Sequence, residues 1–407
     1  MGRVFMYFIG IDWADEKHTI VILSESNKEV SAFEIPHSFD GIEHLKKRLK
    51  DLSIPVSNAL CFIETSRGLL VSSLIQYGFT VYPLNPKVVD KHRKPSGAKT
   101  DFIDARLLAD LGRKDHLSLR PLVLSDDLLQ ELRLLTRDQE GLIHSQTRLT
   151  NQLIASLKEY YPAALKFFTR IGQLCTLKFL QTFPSIDSLR KASREDVVIV
   201  LKTLRHKDPE TKANEILEII SQPQIPVSFA VSKAKSRFTK VLVKQFIVLI
   251  EEIALYDKEI LSLFKQHKDY EIFKSLPGAG KRLAPKLLAE WGDERTQYQS
   301  VASVQALAGT SPVAFQSGKY NKARRRTSCV KPFRNALHEF AWCSVRWEPW
   351  AKEYYYRKRK EGKSHHVAIR SLANNWVRII FAMWKTEENY EPSVFLHAQK
   401  RHSQKVA

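Results

Sequence analysis

Short apolar runs alternate with polar stretches along the first hundred residues, in the pattern of an α/β domain. Apolar segments at residues 4–12, 19–24 and 29–35 predict three short strands. Residues 40–51 then place Ile42, Leu45 and Leu49 on one side of a helix. The same alternation predicts a strand at 59–64, a helix at about 68–77 and a strand at 79–84. Two further helices are predicted to begin at about 86 and at about 101.

Four carboxylates stand out against this pattern. Asp12 ends the first apolar run, Glu64 ends the run at 59–64, and Asp101 and Asp104 lie three residues apart, on one face of a helix that starts at Thr100. Carboxylates that converge on one point repel one another unless divalent metal ions lie among them, and two such ions are a common device for cutting phosphodiesters. Each acid alone also fits a plainer role, as a turn residue, a surface charge or a helix cap.

The order of the predicted elements resembles the ribonuclease H-like fold. That fold also begins with a three-strand meander and continues with alternating helices and strands. Asp12 then lies on the first central strand, Glu64 on the fourth strand, and Asp101 and Asp104 on the last helix. We therefore predict an α/β ribonuclease H-like domain over residues 1–120.

Residues 121–268 are predicted to form a helical coiled-coil region with two heptad seams. Both seams alternate steps of four and three residues. The first consists of Leu128, Leu132, Leu135, Gln139, Leu142, Gln146, Leu149 and Leu153, and the second of Leu242, Phe246, Leu249, Ile253, Tyr256, Ile260 and Leu263. The seams fit a subunit interface and an intramolecular antiparallel hairpin equally well. Residues 174–231 between them are interpreted as an insertion without an assigned role.

Composition and charge favour a nucleic-acid partner. The 407 residues carry a net charge of +20, and residues 311–407 hold 20 Lys and Arg against 7 Asp and Glu. A basic surface binds phosphate backbones with little sequence preference. No stretch approaches the roughly 18 apolar residues of a membrane span, and the N-terminus lacks a signal-peptide pattern. The four cysteines lack metal-ligand spacing, which predicts free thiols and a cytoplasmic protein.

Residues 269–407 are predicted to form a mainly α domain that contains two basic features. The turn at residues 277–281 resembles the hairpin of helix-hairpin-helix modules, in which backbone N–H groups at the start of a helix meet a phosphate. Lys281 and Lys286 favour such a contact with a nucleic-acid backbone, although a plain helix turn is equally compatible. Three tyrosines at 354–356 stand directly before four basic residues at 357–360, and Arg357, Lys358 and Arg359 suit contact with RNA or single strands. The alternative for 354–360 is the solvated end of a helix. Residues 367–384 predict a core helix.

A serine–glycine pair lies in the most basic part of this domain. Ser317 and Gly318 precede Lys319, and the run Arg324, Arg325 and Arg326 and then Arg334 follow. Taken alone, the pair predicts only a turn in a basic loop.

Taken as a whole, the chain resembles the DEDD-type transposases of bacterial insertion sequences, which are related to pilin-gene invertases and act as bridge-RNA-guided recombinases. The resemblance covers nearly the full length. It is carried by seven short motifs: Gly10-Ile11-Asp12, Ile63-Glu64-Thr65-Ser66, Lys99-Thr100-Asp101 with Asp104-Ala105-Arg106, Pro277-Gly278-Ala279-Gly280, Ala308-Gly309-Thr310-Ser311-Pro312, Gln316-Ser317-Gly318-Lys319 and Arg334-Asn335-Ala336-Leu337. One departure is Cys329, which stands where many members have glycine.

The resemblance implies a specific reaction. Asp12, Glu64, Asp101 and Asp104 would bind Mg²⁺ in a RuvC-like domain, and Ser317 would attack a DNA phosphate to form a covalent phosphoserine. The acid site of one subunit would be completed by the serine domain of another, in a homo-oligomer. A structured guide RNA would pair with donor and target DNA. Lys281, Lys319, Arg334, the arginines at 324–326 and the basic residues at 357–359 are the predicted nucleic-acid contacts.

Two other functional classes use the same sequence features differently. A RuvC-like junction endonuclease would need the four acids but no covalent intermediate on Ser317. A non-catalytic DNA- or RNA-binding protein would tolerate the loss of both sites. A covalent protein–DNA adduct separates the transposase from both alternatives.

Overall fold

The computed structural model describes residues 5–92, 100–123, 125–317 and 320–393, and the side chains of residues 317 and 320–322 fall outside this description. The chain forms two compact units, Met1–Leu124 and Ser125–Ala407.

The first unit is a mixed five-stranded sheet with helices. Its strands are β1 (Tyr7–Asp12), β2 (Lys17–Ser24), β3 (Glu29–Pro36), β4 (Ala59–Ile63) and β5 (Thr80–Pro83). The strand order is β3-β2-β1-β4-β5, in which β1 is antiparallel to β2 and parallel to β4. The predicted strands are confirmed, and β1 begins later than predicted, at Tyr7.

Four α-helices accompany this sheet within the described residues, and they match the predicted helices to within a few residues. They are α1 (Phe39–Asp51), α2 (Leu69–Gln76), α3 (Pro86–His92) and α4 (Asp101–Asp115). Helix α1 buries Ile42, Leu45 and Leu49, as the pattern predicted. Strand β4 is buried along its whole length because helices cover a parallel sheet from both sides.

The second unit is almost entirely helical. Its helices are α5 (Asp127–Tyr160), α6 (Leu174–Thr182), α7 (Ile186–Arg190), α8 (Arg194–Thr203), α9 (Pro209–Ser221), α10 (Phe229–Gln266), α11 (Tyr270–Lys274), α12 (Gly280–Trp291), α13 (Val301–Leu307), α14 (Lys331–Trp347), α15 (Pro349–Lys360) and α16 (His365–Thr386). A hairpin of β6 (Val313–Ser317) and β7 (Tyr320–Arg324) interrupts them.

The two long helices α5 and α10 pack against each other within one chain. Seam residues Leu132, Leu153, Phe246 and Ile253 are buried, and the Gln139 amide donates a hydrogen bond to Asp257 (2.9 Å). The packing of α5 on α10 is the intramolecular hairpin, which is one of the two arrangements that the heptad seams allowed. A second row on α10 remains exposed and repeats every seven residues, at Val241, Val248 and Leu255.

The second unit contains two separate cores. Residues 174–231 fold as α6–α9 and pack with parts of α5 and α10 around Phe167, Phe179 and Phe246. The ends of α5 and α10 instead share a core with the C-terminal helices, in which Trp291 and Phe340 are fully buried. The predicted core helix at 367–384 is confirmed within α16, which buries Leu372, Trp376 and Ile380.

The sequence predicted free cysteine thiols and no membrane-spanning segment. All four cysteines are free thiols, and Cys61 lies in the core of β4. None of the helices within the described residues is long and apolar enough to cross a membrane.

Candidate functional site

Asp12 and Glu64 lie side by side at one edge of the sheet. Asp12 is the last residue of β1, and Glu64 directly follows β4. The strands are parallel, and Ile11 pairs with Ile63, so the two acids follow paired residues. Both side chains are half-buried. The carboxyl ends of adjacent parallel strands therefore place two carboxylates at the same edge of the sheet.

The first turn of α4 holds the other two acids. Thr100 caps this helix by accepting a hydrogen bond from the Ile103 N–H (3.2 Å). Asp104 is buried and Asp101 is exposed. Negative charge is favourable at this end of a helix because the first backbone N–H groups point outward. The helix packs directly on β1, so Asp104 lies near the edge that carries Asp12.

Two basic residues lie at the start of β2, the strand that pairs with β1. Lys17 pairs with Glu34 (2.7 Å), and its pKa is raised mainly by Glu34 and to a smaller extent by Asp101. Buried His18 accepts a hydrogen bond from the Ala14 N–H and donates one to His37 (2.8 Å). Burial and, secondarily, His37 lower the pKa of His18 to about 4. Sequence reasoning missed both residues, although their polar character at a strand start was visible.

Within the described residues, one group of three potential metal ligands has its ligand atoms within 4.8 Å of one another, and it lies in the second unit. The group consists of Asp126, His267 and Asp293. Its histidine Nδ1 accepts a hydrogen bond from the Asp269 N–H (3.0 Å), so the neutral ring carries its proton on Nε2. Neither ring nitrogen then offers a free lone pair. The Nε2 atom of His267 is itself buried without a hydrogen-bond partner, so the two carboxylates lie close to the ring without accepting its proton.

The structure places Ser317 at the end of β6. Its backbone pairs with Tyr320 across the hairpin, while Gly318 and Lys319 lie outside the described residues. Further down the hairpin, the Arg324 guanidinium lies over the Phe315 ring at 4.6 Å. Strands β6 and β7 are therefore an antiparallel pair within a mainly helical unit, and Ser317 is the last residue of β6.

Close contacts hold the base of this hairpin to the helices. A Cβ atom on Gly309 would lie 2.7 Å from the Cys329 sulfur, and Gly309 adopts a left-handed φ of +64°. The Val330 N–H donates to the Leu307 carbonyl (2.9 Å), and the Thr310 hydroxyl donates to Asn374 (2.9 Å). Cys329 thus takes part in a tight contact at the position where the motif departs from its usual glycine.

The basic residues predicted to contact nucleic acid differ in whether they already form ion pairs or hydrogen bonds within the protein. Lys281 is exposed at the start of α12, whereas Lys286, on the same helix, binds Glu140 and Glu339 (3.2 and 3.0 Å). Arg325 and Arg334 lie beside the hairpin base, and the Nε atom of Arg326 is buried without a hydrogen-bond partner.

The basic run at 354–360 forms the end of α15. The Arg357 guanidinium and the Lys358 ammonium lie over the Tyr354 ring, at 5.2 and 5.8 Å, and Lys358 pairs with Glu361 (2.7 Å). Arg359 is exposed on the same helix. Tyr354 therefore packs against two of the protein's own cations, as at the end of an ordinary amphipathic helix.

Comparison with known families gives two matches. A family model described as a transposase, named for the DEDD transposases of IS110, matches residues 9–162. A second model, described as the transposase IS116/IS110/IS902 family, matches residues 270–356. The two matches together cover more than half of the chain. The first match includes Asp12, Glu64, Asp101 and Asp104 in the first unit, and the second match includes the β6–β7 hairpin with Ser317.

Comparison with individual proteins agrees with the family matches. The mini-circle putative transposase for IS117 of Streptomyces coelicolor is 27% identical over 401 residues, which cover 94% of this chain and 95% of that protein. The insertion element IS116 uncharacterized 44.8 kDa protein of Streptomyces clavuligerus is 28% identical, over 80% of this chain and 81% of its own length. The insertion element IS900 uncharacterized 42 kDa protein of Mycobacterium paratuberculosis is 28% identical, over 72% and 73%.

Proposed function

Because the chain belongs to the IS110/IS116/IS902 family of insertion-sequence transposases, we propose that it cuts and rejoins DNA through a covalent phosphoserine on Ser317. Asp12, Glu64, Asp101 and Asp104 are the proposed ligands of Mg²⁺ in this reaction.

The observation that carries the proposal is the shared position of Asp12 and Glu64. They follow the paired residues Ile11 and Ile63 of parallel strands, beside the helix whose first turn holds Asp104. The strand order β3-β2-β1-β4-β5 supports a RuvC-like domain, in which acids occupy this edge.

The donor set also suits the proposed metal. The four side chains offer only carboxylate oxygens, which are the ligands that Mg²⁺ prefers. When bound, a divalent ion would polarise the scissile phosphate and stabilise the charge on the leaving oxygen.

The serine supplies the step that a plain nuclease lacks. Its hydroxyl gives up a proton and forms a bond to phosphorus, while the bond from phosphorus to the DNA 3′ oxygen breaks. One phosphoester replaces another, so a second DNA end can later take the phosphate from Ser317 without a nucleotide cofactor. We assign the positioning of the serine to the hairpin β6–β7, whose base is held by Thr310 and Cys329.

Basic residues supply the proposed contacts with nucleic acid. Lys319, Arg324, Arg325 and Arg326 accompany the serine hairpin, and Arg334 lies at its base. Such residues bind phosphates of any sequence, so sequence choice is assigned to a structured guide RNA that pairs with donor and target DNA. Lys281 and the basic residues at 357–359 are proposed as further backbone contacts.

A homo-oligomer completes the proposal. The seams of α5 and α10 pack within one chain, which leaves the exposed row of Val241, Val248 and Leu255 as the surface for a second subunit. Its seven-residue repeat is typical of a helix that packs along another helix.

The experiment that tests the proposed function is the detection of a covalent bond between Ser317 and DNA. A RuvC-like junction endonuclease activates water and leaves no protein on the DNA. A non-catalytic binding protein leaves the DNA intact.

A further inference from the structure

Five basic side chains converge on one place in the second unit. Arg334 and His338 lie one helical turn apart on α14, and His366 and Arg370 lie one turn apart on α16. Spacing of four residues places each pair on one face of its helix. Helices α14 and α16 pack against each other, and Arg325 directly follows β7. We refer to these five residues as the basic cluster.

The members of the basic cluster act on one another electrostatically. Burial, followed by Arg334, Arg370, Arg325 and His366, lowers the pKa of His338 to about 4. Burial, followed by Arg325, lowers the pKa of Arg370. In the part of the chain that the structure describes, no carboxylate contributes to either shift. Like charges this close destabilise a site unless an anion joins them.

The basic cluster also contains an unsatisfied polar atom. The Nε2 atom of His338 is buried and has no hydrogen-bond partner. Buried polar atoms are nearly always hydrogen-bonded, and a bound water or ion is one of the explanations for an exception. Lys286 on α12 differs from the residues of the basic cluster, because it forms ion pairs with two glutamates.

The location of the basic cluster is the base of the β6–β7 hairpin. The Arg334 Cδ atom lies 3.7 Å from the point where a Cβ atom of Gly309 would be. Arg370 lies one turn before Asn374, which accepts the hydrogen bond from Thr310. Both ends of the hairpin thus enter the protein beside the basic cluster.

We propose that the basic cluster of Arg325, Arg334, His338, His366 and Arg370 is a binding site for a backbone phosphodiester of duplex DNA. DNA is chosen because the hairpin carries Ser317, and in this respect the inference rests on the proposed function. Strand β6 extends about 14 Å from Val313 to Ser317, at about 3.4 Å per residue. The bound phosphate is therefore distinct from the one that Ser317 attacks. Its role is to fix the position of the duplex relative to the hairpin.

Phosphate binding at the basic cluster is coupled to a proton. His338 is neutral near pH 7 in the free protein because burial, and then three guanidinium groups and His366, lower its pKa to about 4. A phosphodiester in the site brings a negative charge that favours the imidazolium form. DNA binding therefore takes up a proton at His338, and affinity rises as the pH falls.

The test measures the affinity of the full chain for a DNA duplex of arbitrary sequence over a range of salt concentrations. Divalent metal is left out, so that no strand is cut and the result does not depend on Ser317 chemistry. Each phosphate contact contributes about 0.9 to the slope of log affinity against log salt. Arg370→Gln is expected to reduce the slope by about 0.9. Arg325→Gln, at an exposed position where folding is not at risk, is expected to do the same.

The matched control is Arg378→Gln, which removes the same charge from an exposed position two turns further along α16 and should leave the slope unchanged. Equal effects of Arg370→Gln, Arg325→Gln and Arg378→Gln would show general basic attraction and overturn the proposed site. A slope change seen with structured RNA and absent with duplex DNA would overturn the choice of ligand.

The proton coupling has its own readout. Between about pH 7.5 and about pH 6, wild-type affinity for the duplex should rise, and the rise should be smaller in His338→Gln. An identical rise in wild type and His338→Gln would contradict the role of His338 in the site. A Ser317→Ala chain that binds normally but forms no adduct leaves the phosphate site intact, so the two proposals can fail separately.

Discussion

Gly10 and Ala105 approach so closely that a Cβ atom on Gly10 would lie 1.8 Å from the Ala105 carbonyl oxygen. This contact joins β1 to α4, since Gly10 is two residues before Asp12 and Ala105 follows Asp104. The absence of a side chain at one position of the strand therefore lets the helix lie against the sheet. Two of the four acids are held at the same edge as a consequence.

The first prediction is that Gly10→Ala destabilises the first unit. The added methyl group meets backbone atoms of α4, which cannot move aside as a flexible side chain can. Overpacking of this kind costs about 3 kcal/mol. Hydrogen–deuterium exchange in peptides covering β1 and α4 should accelerate. Gly141→Ala is the control, because a Cβ atom at this exposed helical position meets nothing within 4 Å and should stabilise α5 by about 0.5–1 kcal/mol.

The second prediction concerns the acids. Alanine at Asp12, Glu64, Asp101 or Asp104, or chelation of divalent metal, should abolish strand cleavage and leave nucleic-acid binding largely intact. Relief of carboxylate repulsion does not by itself unfold a domain. Asp115→Ala, an exposed acid at the far end of α4, should retain cleavage. Full recombination by Asp104→Ala in the presence of magnesium would remove Asp104 from the proposed metal site.

The third prediction is a pH dependence of stability in the first unit. His18 has a pKa of about 4 when folded and a usual value of 6.5, because burial and then His37 oppose its charge. The unfolded chain therefore binds a proton that the folded chain does not. Stability should be complete above about pH 6.5 and decline as the pH falls towards 4.

Urea denaturation at a series of pH values measures this decline. His18→Gln should weaken it, whereas the control His44→Gln, at an exposed position, should leave it unchanged. An identical pH profile in His18→Gln and wild type would show that another group titrates.

The fourth prediction concerns assembly. Val248→Glu places a charge on the exposed row of α10, where burial against a second subunit would be costly. The variant should retain its thermal stability, lose oligomer mass in light scattering and lose recombination. Gln245→Glu, an exposed polar neighbour on the same helix, is the matched control and should behave like wild type. Unchanged mass and activity in Val248→Glu would exclude the row as a subunit contact.

Much of the first unit could be predicted because its strands and helices are short and strongly patterned. Strands such as β4, apolar throughout, and helices such as α1, with one apolar face, permit few other structures. The edge occupied by Asp12 and Glu64 follows from parallel strand pairing, which the order of elements implies. The closeness of Gly10 and Ala105 could not be predicted, since it depends on how a helix settles on a sheet.

The second unit was harder to predict from the sequence. Heptad seams specify that a helix is buried along one side, but not whether the partner belongs to the same chain. The contacts of Thr310 with Asn374 and of Gly309 with Cys329 join residues far apart in sequence, so no local pattern indicates them. His338 and Arg370 were missed for the same reason, because each alone resembles an ordinary helix residue.

The most direct test of the proposed reaction is to look for DNA covalently attached to Ser317. Wild-type protein is incubated with labelled donor and target DNA, magnesium and the structured RNA of the element, and the products are separated by denaturing electrophoresis. We expect a protein-linked band that protease digestion removes, and no such band with Ser317→Ala, which should still bind DNA. A band that persists in Ser317→Ala and maps to another residue, or cleavage by wild type without any adduct, would contradict the phosphoserine mechanism.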